Sequence, residues 1–236
     1  MIIGGFQRFS LIDYPDKICA IVFTQGCNFR CPYCHNPELV SLRRKRSVPL
    51  AGGLEEQEIL SFLDKRRGRL DAVTITGGEP LLQPDLDNFL LAVKGLGYLV
   101  KLDTNGSFPL RLEKIIESES IDYIAMDIKT SPDKYEYVIK RKIEKNGILD
   151  SIRLIMDSGL DYEFRTTVVP SCGGFEKGDF LKIGQLIKNS RLYVLQRFVP
   201  SKTSADQFID MRSCSDEEMD SFKEIMQGFV QRCVVR

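Results

Sequence analysis

Short apolar runs rich in β-branched residues alternate with longer segments of helical spacing along this 236-residue chain, and this alternation constrains the fold most. Such runs predict strands, because β-branched and aromatic side chains suit a buried pleated surface. We predict six strands, at Ile18–Thr24, Ala72–Thr76, Tyr98–Asp103, Tyr123–Ile128, Tyr162–Val169 and Leu192–Phe198.

The segments between the strands have apolar residues three and four positions apart, which predicts helices. They lie at Glu55–Arg66, Pro84–Gly95, Pro109–Ser118, near Ile148–Ser158, at Glu176–Asn189 and at Asp216–Gln231. The predicted strands are too apolar for either face of the sheet to be exposed to solvent, which indicates a parallel sheet covered by helices. Six right-handed units predict the α/β class and a partial (β/α)6 TIM-like barrel, open on one side. Because there is no Pro/Ser/Gly-rich linker, we expect one domain over residues 1–236.

Charge and cysteine content limit the function classes. Lys+Arg and Asp+Glu both total 33, so the net charge is zero. We therefore do not expect a protein that coats nucleic acid or anionic membrane through its overall charge. The sequence shows no signal peptide and no long apolar run, which predicts a cytoplasmic protein outside the membrane. Cys19, Cys172, Cys214 and Cys233 are scattered and are expected to be small buried side chains, while three further cysteines form one cluster.

Cysteine, glycine and polar residues that could bind a metal or cofactor lie at, or directly after, the carboxyl end of every predicted strand. In α/β barrels the active site is built from this end of the strands, so the sequence predicts that they share one site. In chain order these residues are Cys27–Cys34, Gly77–Pro80, Asp103–Gly106, Asp127 with Lys129, Arg165–Pro170, and Gln196–Pro200.

Cys27, Cys31 and Cys34 place three thiolates on one short loop. A [4Fe–4S] cluster takes four ligands, so three local cysteines leave one iron open to a reactant. A structural zinc site completed by His35, the one histidine, is the alternative. Zinc sites favour ligand pairs from separate segments, and the adjacent Cys34 and His35 would not readily bind one tetrahedral ion.

The spacing CxxxCxxC, with Tyr33 directly before the last cysteine, resembles the signature of the radical S-adenosylmethionine (radical SAM) superfamily. The resemblance implies that the open iron binds the amino and carboxylate groups of the cofactor and that Tyr33 packs near the adenine. It also implies that the motif formed by Gly77, Gly78, Glu79 and Pro80 receives the cofactor's amino group. Glycines permit close approach of a ligand, and a carboxylate accepts hydrogen bonds from an ammonium group.

Further polar residues are expected to contact the cofactor. Lys129 is a point cation suited to its carboxylate. Asp103 and Asp127 suit either ribose hydroxyls or a hard cation, and glycyl-radical-enzyme activases, which this arrangement resembles, have in some members a monovalent cation there. The remaining candidates are Thr104, Asn105, Arg165 and Gln196. Turn chemistry explains Asn105 with Gly106 equally well, and buried structural hydrogen bonds would explain Arg165 and Gln196.

Two longer stretches, 5–15 and 23–39, resemble the activating proteins of anaerobic ribonucleoside-triphosphate reductase, in the branch close to pyruvate formate-lyase activase. Asp16 stands where that family would have glycine. The resemblance implies reductive cleavage of SAM to a 5′-deoxyadenosyl radical, which removes a Cα hydrogen from a glycine of the partner reductase. No second cysteine cluster is present, so a flavodoxin or ferredoxin is expected to donate electrons.

Three other functions remain open at this point. A radical SAM enzyme acting on a small molecule, such as a 7-deazaguanine synthase, would use the same cysteine loop. An iron–sulfur electron carrier would have no use for Gly77–Pro80, and the neutral charge disfavours a zinc-stabilised nucleic-acid module. The basic run Arg43–Arg46 is either a solvated face or a docking surface for an acidic partner.

Overall fold

The computed structural model describes residues 1–41, 55–170, 175–200, 208 and 210–236. The basic run Arg43–Arg46 and Cys172 lie outside the described residues.

Among the described residues, eight strands form one sheet in which hydrogen-bonded neighbours follow chain order. Because β1 and β8 are the two ends of this order, the sheet is open, and the predicted α/β class with an open sheet is confirmed. All six predicted strands are present, each within one residue at either end. The strands are β1 Ile3–Ser10, β2 Cys19–Thr24, β3 Ala72–Gly77, β4 Leu99–Thr104, β5 Tyr123–Asp127, β6 Asp161–Val168, β7 Tyr193–Arg197 and β8 Cys233–Val235.

The six predicted helices are also present, and one short helix, α4, was not predicted. Five residues are too few to show a helical period, so α4 could not be predicted from the pattern of apolar residues. The helices are α1 Glu56–Asp64, α2 Leu86–Gly95, α3 Pro109–Glu117, α4 Tyr135–Ile139, α5 Lys145–Asp157, α6 Lys177–Leu186 and α7 Asp216–Gln227. In the described part of the chain, none of these helices is both long and apolar enough to span a bilayer.

The two end strands, β1 and β8, were not predicted from the sequence, for different reasons. β1 contains Gly4 and Gly5, pairs antiparallel with β2, and so lies outside the repeating strand–helix pattern. β8 has only three residues and pairs parallel with β7. The sheet is therefore mixed rather than wholly parallel.

By its internal contacts the chain divides into two compact units. The first comprises Met1–Asn28, Glu38–Thr104 and Leu110–Ile124, and the second comprises Phe29–Pro37, Asn105–Pro109 and Ala125–Arg236. One domain over residues 1–236 stays a prediction.

In the first unit, β2, β3 and β4 are parallel and two different faces can be distinguished. Val73 and Ile75 of β3 are fully buried apolar residues. Thr74 between them points to the opposite face, where Lys101 of β4 is its register partner. Both of these polar residues are also buried, so this face of the sheet has a polar interior.

In the second unit, β6, β7 and β8 are parallel, α7 packs against β7 and β8, and α6 packs against α7. The rings of Phe180 and Phe222 stack with centroids 4.3 Å apart, joining the two helices. The Tyr193 hydroxyl on β7 donates to Thr166 Oγ1 on β6 at 2.6 Å, which satisfies a polar group inside this core.

Candidate functional site

The cysteine loop leaves β2 through Gly26, whose φ of +101° lies in the region that favours glycine. Its amide donates to the Leu39 carbonyl at 2.7 Å, and the Cys27 amide donates to the Val40 carbonyl at 3.1 Å. The start of the loop is therefore hydrogen-bonded to its return segment, and the backbone at Cys27 is fixed within the first unit.

The middle of the loop belongs to the second unit and is anchored by α4. The Arg30 amide donates to the carbonyl of Ile139, the last residue of α4, at 2.9 Å. The rings of Phe29 and Tyr135 meet edge to face at 6.3 Å. The helix that sequence analysis missed thus positions the backbone next to Cys31.

Cys31 is buried and Cys34 is partly exposed. The Cys34 amide donates to the Cys31 carbonyl at 3.1 Å, so a tight turn separates the two thiols. Tyr33 between them is buried, and its ring lies 6.3 Å from that of Phe208.

His35, the zinc ligand of the alternative interpretation, is exposed and stacks on the ring of Phe198 at 5.6 Å and 8°. Within the described ranges, no three or more His, Cys, Asp and Glu side chains form a group that could hold a metal ion. The ligand set of Cys27, Cys31 and Cys34 therefore stays a prediction, and three thiols on one anchored loop are suitable donors for an iron–sulfur cluster.

Gly77 and Gly78 bring their own backbone against the segment that leads to Cys27. A Cβ atom at Gly78 would lie 2.0 Å from the Gly26 carbonyl oxygen, and one at Gly77 would lie 2.4 Å from the Thr24 nitrogen. The Gly78 amide donates to the Thr24 carbonyl at 2.9 Å. We expected these glycines to admit a ligand, and the structure shows that they admit a neighbouring main chain.

Glu79 is fully buried and joins the ends of two strands. Its amide donates to the Gly26 carbonyl at 2.7 Å, and its Oε1 accepts from Thr104 Oγ1 at 2.7 Å. Oε1 also accepts from the Leu81 amide at 3.2 Å, in the short helical turn that begins at Pro80. Glu79 thus brings together two of the predicted site positions, the Gly77–Pro80 motif and Thr104.

Asp103 on β4 is paired with a residue that sequence analysis overlooked. Lys101 Nζ donates to Asp103 Oδ1 at 2.6 Å, and the two side chains are 3% and 13% exposed. Lys101 lies two positions before Asp103 in an apolar strand, so both side chains lie on the same face of the sheet. This spacing was the signal available in the sequence.

Asn105 makes a local turn in the second unit. Its Oδ1 accepts from the Ser107 amide at 3.0 Å and from the Ser107 hydroxyl at 2.6 Å, and the intervening Gly106 has a φ of +73°. The turn interpretation offered for this pair is confirmed, and a contact of Asn105 with a cofactor stays a prediction.

Asp127 joins two of the predicted cations in the second unit. Its Oδ1 accepts from Arg165 Nε at 2.8 Å, and its Oδ2 accepts from Lys129 Nζ at 3.0 Å. Burial opposes ionisation of Asp127, but the charges of Arg165 and Lys129 outweigh it, so the pKa of Asp127 lies well below its ordinary value. Burial likewise opposes the charge of Lys129, and Asp127 outweighs it and raises the pKa of Lys129.

The charged group extends further along the sheet. Arg165 Nη1 lies 3.9 Å from Oε1 of the buried Glu163, and Glu163 Oε2 is 3.1 Å from Arg236 Nη1. Neither Glu163 nor Arg236 was singled out from the sequence. Gln196 is partly buried on the same face of the sheet as Arg165, because Arg165 pairs in register with Val194.

Residues 21–180 match the model of the Radical SAM superfamily. A Methanocaldococcus jannaschii protein, provisionally named a glycyl-radical enzyme activating enzyme, is 34% identical over 100% of this chain and 95% of its own length. The pyruvate formate-lyase-activating enzyme of Streptococcus mutans is 31% identical over 84% of this chain and 75% of its own.

Among solved structures, Streptococcus suis SuiB bound to S-adenosylmethionine is similar in fold, with a TM-score of 0.67 and 14% identity. The match covers 92% of this chain and 49% of SuiB, so the present chain spans about half of that protein.

We predict that Gly78→Ala disrupts the cysteine loop, because its Cβ would lie 2.0 Å from a backbone oxygen that cannot rotate away. Crowding of this kind costs about 1–3 kcal/mol of unfolding free energy. Urea unfolding measures that loss, and the iron content after anaerobic reconstitution shows whether the cysteine loop still binds a cluster. Gly95→Ala is the control, since in the described residues no atom beyond its chain neighbours and its own helix backbone lies within 4 Å of the added Cβ. Equal effects of both variants would contradict the prediction.

We also predict that Arg165→Met makes the stability of the protein less dependent on acidic pH. Asp127 has a lowered pKa when folded, so its ion pairs stabilise the protein fully above its unfolded pKa, near 3.8, and this contribution is lost as pH falls below about 4. Removing Arg165 removes the largest of the favourable interactions that lower the pKa of Asp127, and so reduces this contribution at neutral pH. The difference in urea unfolding free energy between wild type and variant should therefore be largest at pH 7 and shrink towards pH 3.

Arg111→Met is the control, because Arg111 forms a more exposed pair with Asp87 at 3.1 Å. A stability difference for Arg165→Met that is the same at every pH would contradict the assignment.

Proposed function

This chain belongs to the radical SAM superfamily and to its glycyl-radical enzyme activating enzymes, and we propose that it activates an anaerobic ribonucleoside-triphosphate reductase. Members of this family are enzymes that use a [4Fe–4S] cluster and S-adenosylmethionine. The electron-carrier and zinc-module alternatives are therefore wrong.

The observation that supports the activity best is the contact between the Gly77-Gly78 backbone and the chain that enters the cysteine loop. A Cβ at Gly78 would lie 2.0 Å from Gly26, directly before Cys27. The motif proposed to receive the cofactor's amino group is thereby fixed to the first proposed cluster ligand. Holding reactants in a fixed geometry is what a hydrogen-atom transfer requires, rather than an acid–base pair.

We assign Cys27, Cys31 and Cys34 to the cluster. Once bound, the reduced cluster and S-adenosylmethionine would supply the chemistry for removing a Cα hydrogen atom from a glycine of the partner. The residues that we assign to cofactor binding are Tyr33, Gly77, Gly78, Glu79, Pro80, Asp103, Thr104, Asn105, Asp127, Lys129, Arg165 and Gln196.

Two cations of the second unit support a carboxylate ligand. Lys129 and Arg165 both donate to the carboxylate of Asp127. Cations of this kind form charge-assisted hydrogen bonds with anionic groups, and Asp127 orients both of them before the ligand arrives.

The partner is proposed from the resemblance of residues 5–15 and 23–39 to activators of the anaerobic reductase. The electron source is proposed to be a flavodoxin or ferredoxin. Cys19, Cys214 and Cys233 support an external donor, because each is buried at a separate position along the chain, and burial raises the pKa of Cys233 to about 11.

We predict that anaerobically reconstituted protein with dithionite and S-adenosylmethionine forms 5′-deoxyadenosine, and that Cys31→Ala does not. The loss should exceed about 100-fold, the upper range for removing a contact that merely supports a metal ligand. Chromatography of the nucleoside measures it. Cys233→Ala, which removes a buried thiol outside the loop, should keep its cluster absorbance and its cleavage activity, and a wild type that forms no 5′-deoxyadenosine would overturn the activity.

We further predict that the reduced protein, with S-adenosylmethionine, generates a glycyl radical on the anaerobic reductase of the same organism. Electron paramagnetic resonance detects this radical. The matched control is the reductase with its radical-bearing glycine replaced by alanine, which should give no signal. A silent spectrum with cofactor cleavage intact would contradict the proposed partner and favour a small-molecule substrate, as for a 7-deazaguanine synthase.

A further inference from the structure

We propose that Lys101 is a positioning residue whose ammonium group serves as the built-in counter-cation of Asp103, so that this part of the site needs no monovalent metal ion. The inference deepens the proposed function, because Asp103 is one of the residues assigned to the cofactor. It concerns the first unit alone.

The geometry of the pair is that of a buried, direct ion pair. Lys101 and Asp103 lie two positions apart on β4 and so share one face of the sheet. Their Nζ and Oδ1 atoms are 2.6 Å apart, and Lys101 is 3% exposed. By contrast, Lys94 and Asp122 form an equally direct pair at 2.7 Å, but their side chains are 30% and 27% exposed.

Burial decides what the pair does. An exposed carboxylate is stabilised by water and needs no particular counter-ion, whereas a buried carboxylate must be paired, become protonated or bind a cation. Asp103 is 13% exposed, and Lys101 reaches it from within the same strand. A lysine ammonium is a compact point charge, as a monovalent metal ion is, so it satisfies the same electrostatic requirement.

The surroundings of Lys101 give the ammonium group few other acceptors. Its register partner Thr74 turns its hydroxyl to the Asp13 carbonyl at 3.2 Å and lies 3.8 Å from the Cys19 sulfur. Within the parts of the chain that the structure describes, Asp103 Oδ1 is the one acceptor that Lys101 reaches by hydrogen bond. The positive charge of Lys101 is therefore directed at Asp103.

The resemblance to glycyl-radical-enzyme activases, some of which have a monovalent cation, implied such an ion near Asp103 and Asp127. In the structure each carboxylate has side-chain cations of its own, Lys101 in the first unit, and Lys129 with Arg165 in the second. A simple structural ion pair would share this geometry. The two interpretations differ in what happens when Lys101 loses its charge: a counter-cation can be replaced by a metal ion, whereas a packing contact cannot.

The test uses the full chain, reconstituted anaerobically with its cluster, and the variant Lys101→Met, which keeps an unbranched apolar side chain. Thermal unfolding is followed in tetramethylammonium, sodium and potassium chloride at one ionic strength. The wild type should unfold at the same temperature in all three salts. The variant should unfold at lower temperature in tetramethylammonium and gain about 5–10 °C, saturably, with sodium or potassium.

The double variant Lys101→Met/Asp103→Asn removes both charges and should lose the salt selectivity. Lys94→Met is the control for loss of an ordinary, partly exposed ion pair, and it should show no selectivity either. The KM for S-adenosylmethionine gives a second readout: for Lys101→Met it should rise about tenfold in tetramethylammonium and return towards the wild-type value in potassium, with kcat less affected.

A wild type whose unfolding temperature rises saturably with potassium would overturn the proposal. So would a Lys101→Met protein that unfolds at one temperature in all three salts, or that does not fold in any of them. Because unfolding requires neither the partner reductase nor radical chemistry, these outcomes are independent of a failure to form the glycyl radical.

Discussion

The contact on which the proposed site depends is between two stretches of main chain. Gly77 and Gly78 lie so close to Thr24 and Gly26 that no side chain fits between them. Hydrogen bonds from the Gly78 and Glu79 amides to the Thr24 and Gly26 carbonyls close the contact. Main chain is stiffer than side chains, so this contact fixes where the cysteine loop begins. It also leaves Glu79 buried at the end of β4, where it accepts from Thr104.

Charge is arranged on the same principle, with partners in place before a ligand binds. Asp103 has Lys101, and Asp127 has Lys129 and Arg165. Each carboxylate is partly or largely withdrawn from water, where an uncompensated charge would be costly. The ordering of these side chains is completed during folding, so less of it remains to be done at binding. This arrangement differs from a site whose charged groups wait for the cofactor to bring them together.

The sequence predicted the strands and the long helices well, because their signals are local. Alternating apolar runs gave β2 to β7 to within a residue, whereas α4 and β8 are too short to show a period. The candidate site was harder. The carboxyl end of β5 identified Asp127, and Arg165 was a candidate from within β6. Lys101 and Glu163 also lie inside strands and were overlooked, because a charged residue there is singled out only when its partner on the same face is known. Gly77 and Gly78 were predicted to admit a ligand, and that role stays a prediction. The close approach of Gly26 that they permit could not be predicted, since it is a contact between distant parts of the sequence.

A tethered cation and a captured ion stabilise a carboxylate equally well once in place, but they differ in what each needs from solution. A captured ion must be present at a concentration near or above its dissociation constant, and the site follows that concentration. Lys101 is joined to Asp103 through a single residue of β4, so its local concentration is fixed by the strand and does not vary. The cost is that the charge cannot leave, and Asp103 remains paired whether or not a ligand is present. In this arrangement the charge beside Asp103 is independent of the surrounding salt, and for the same reason the salt concentration cannot regulate it.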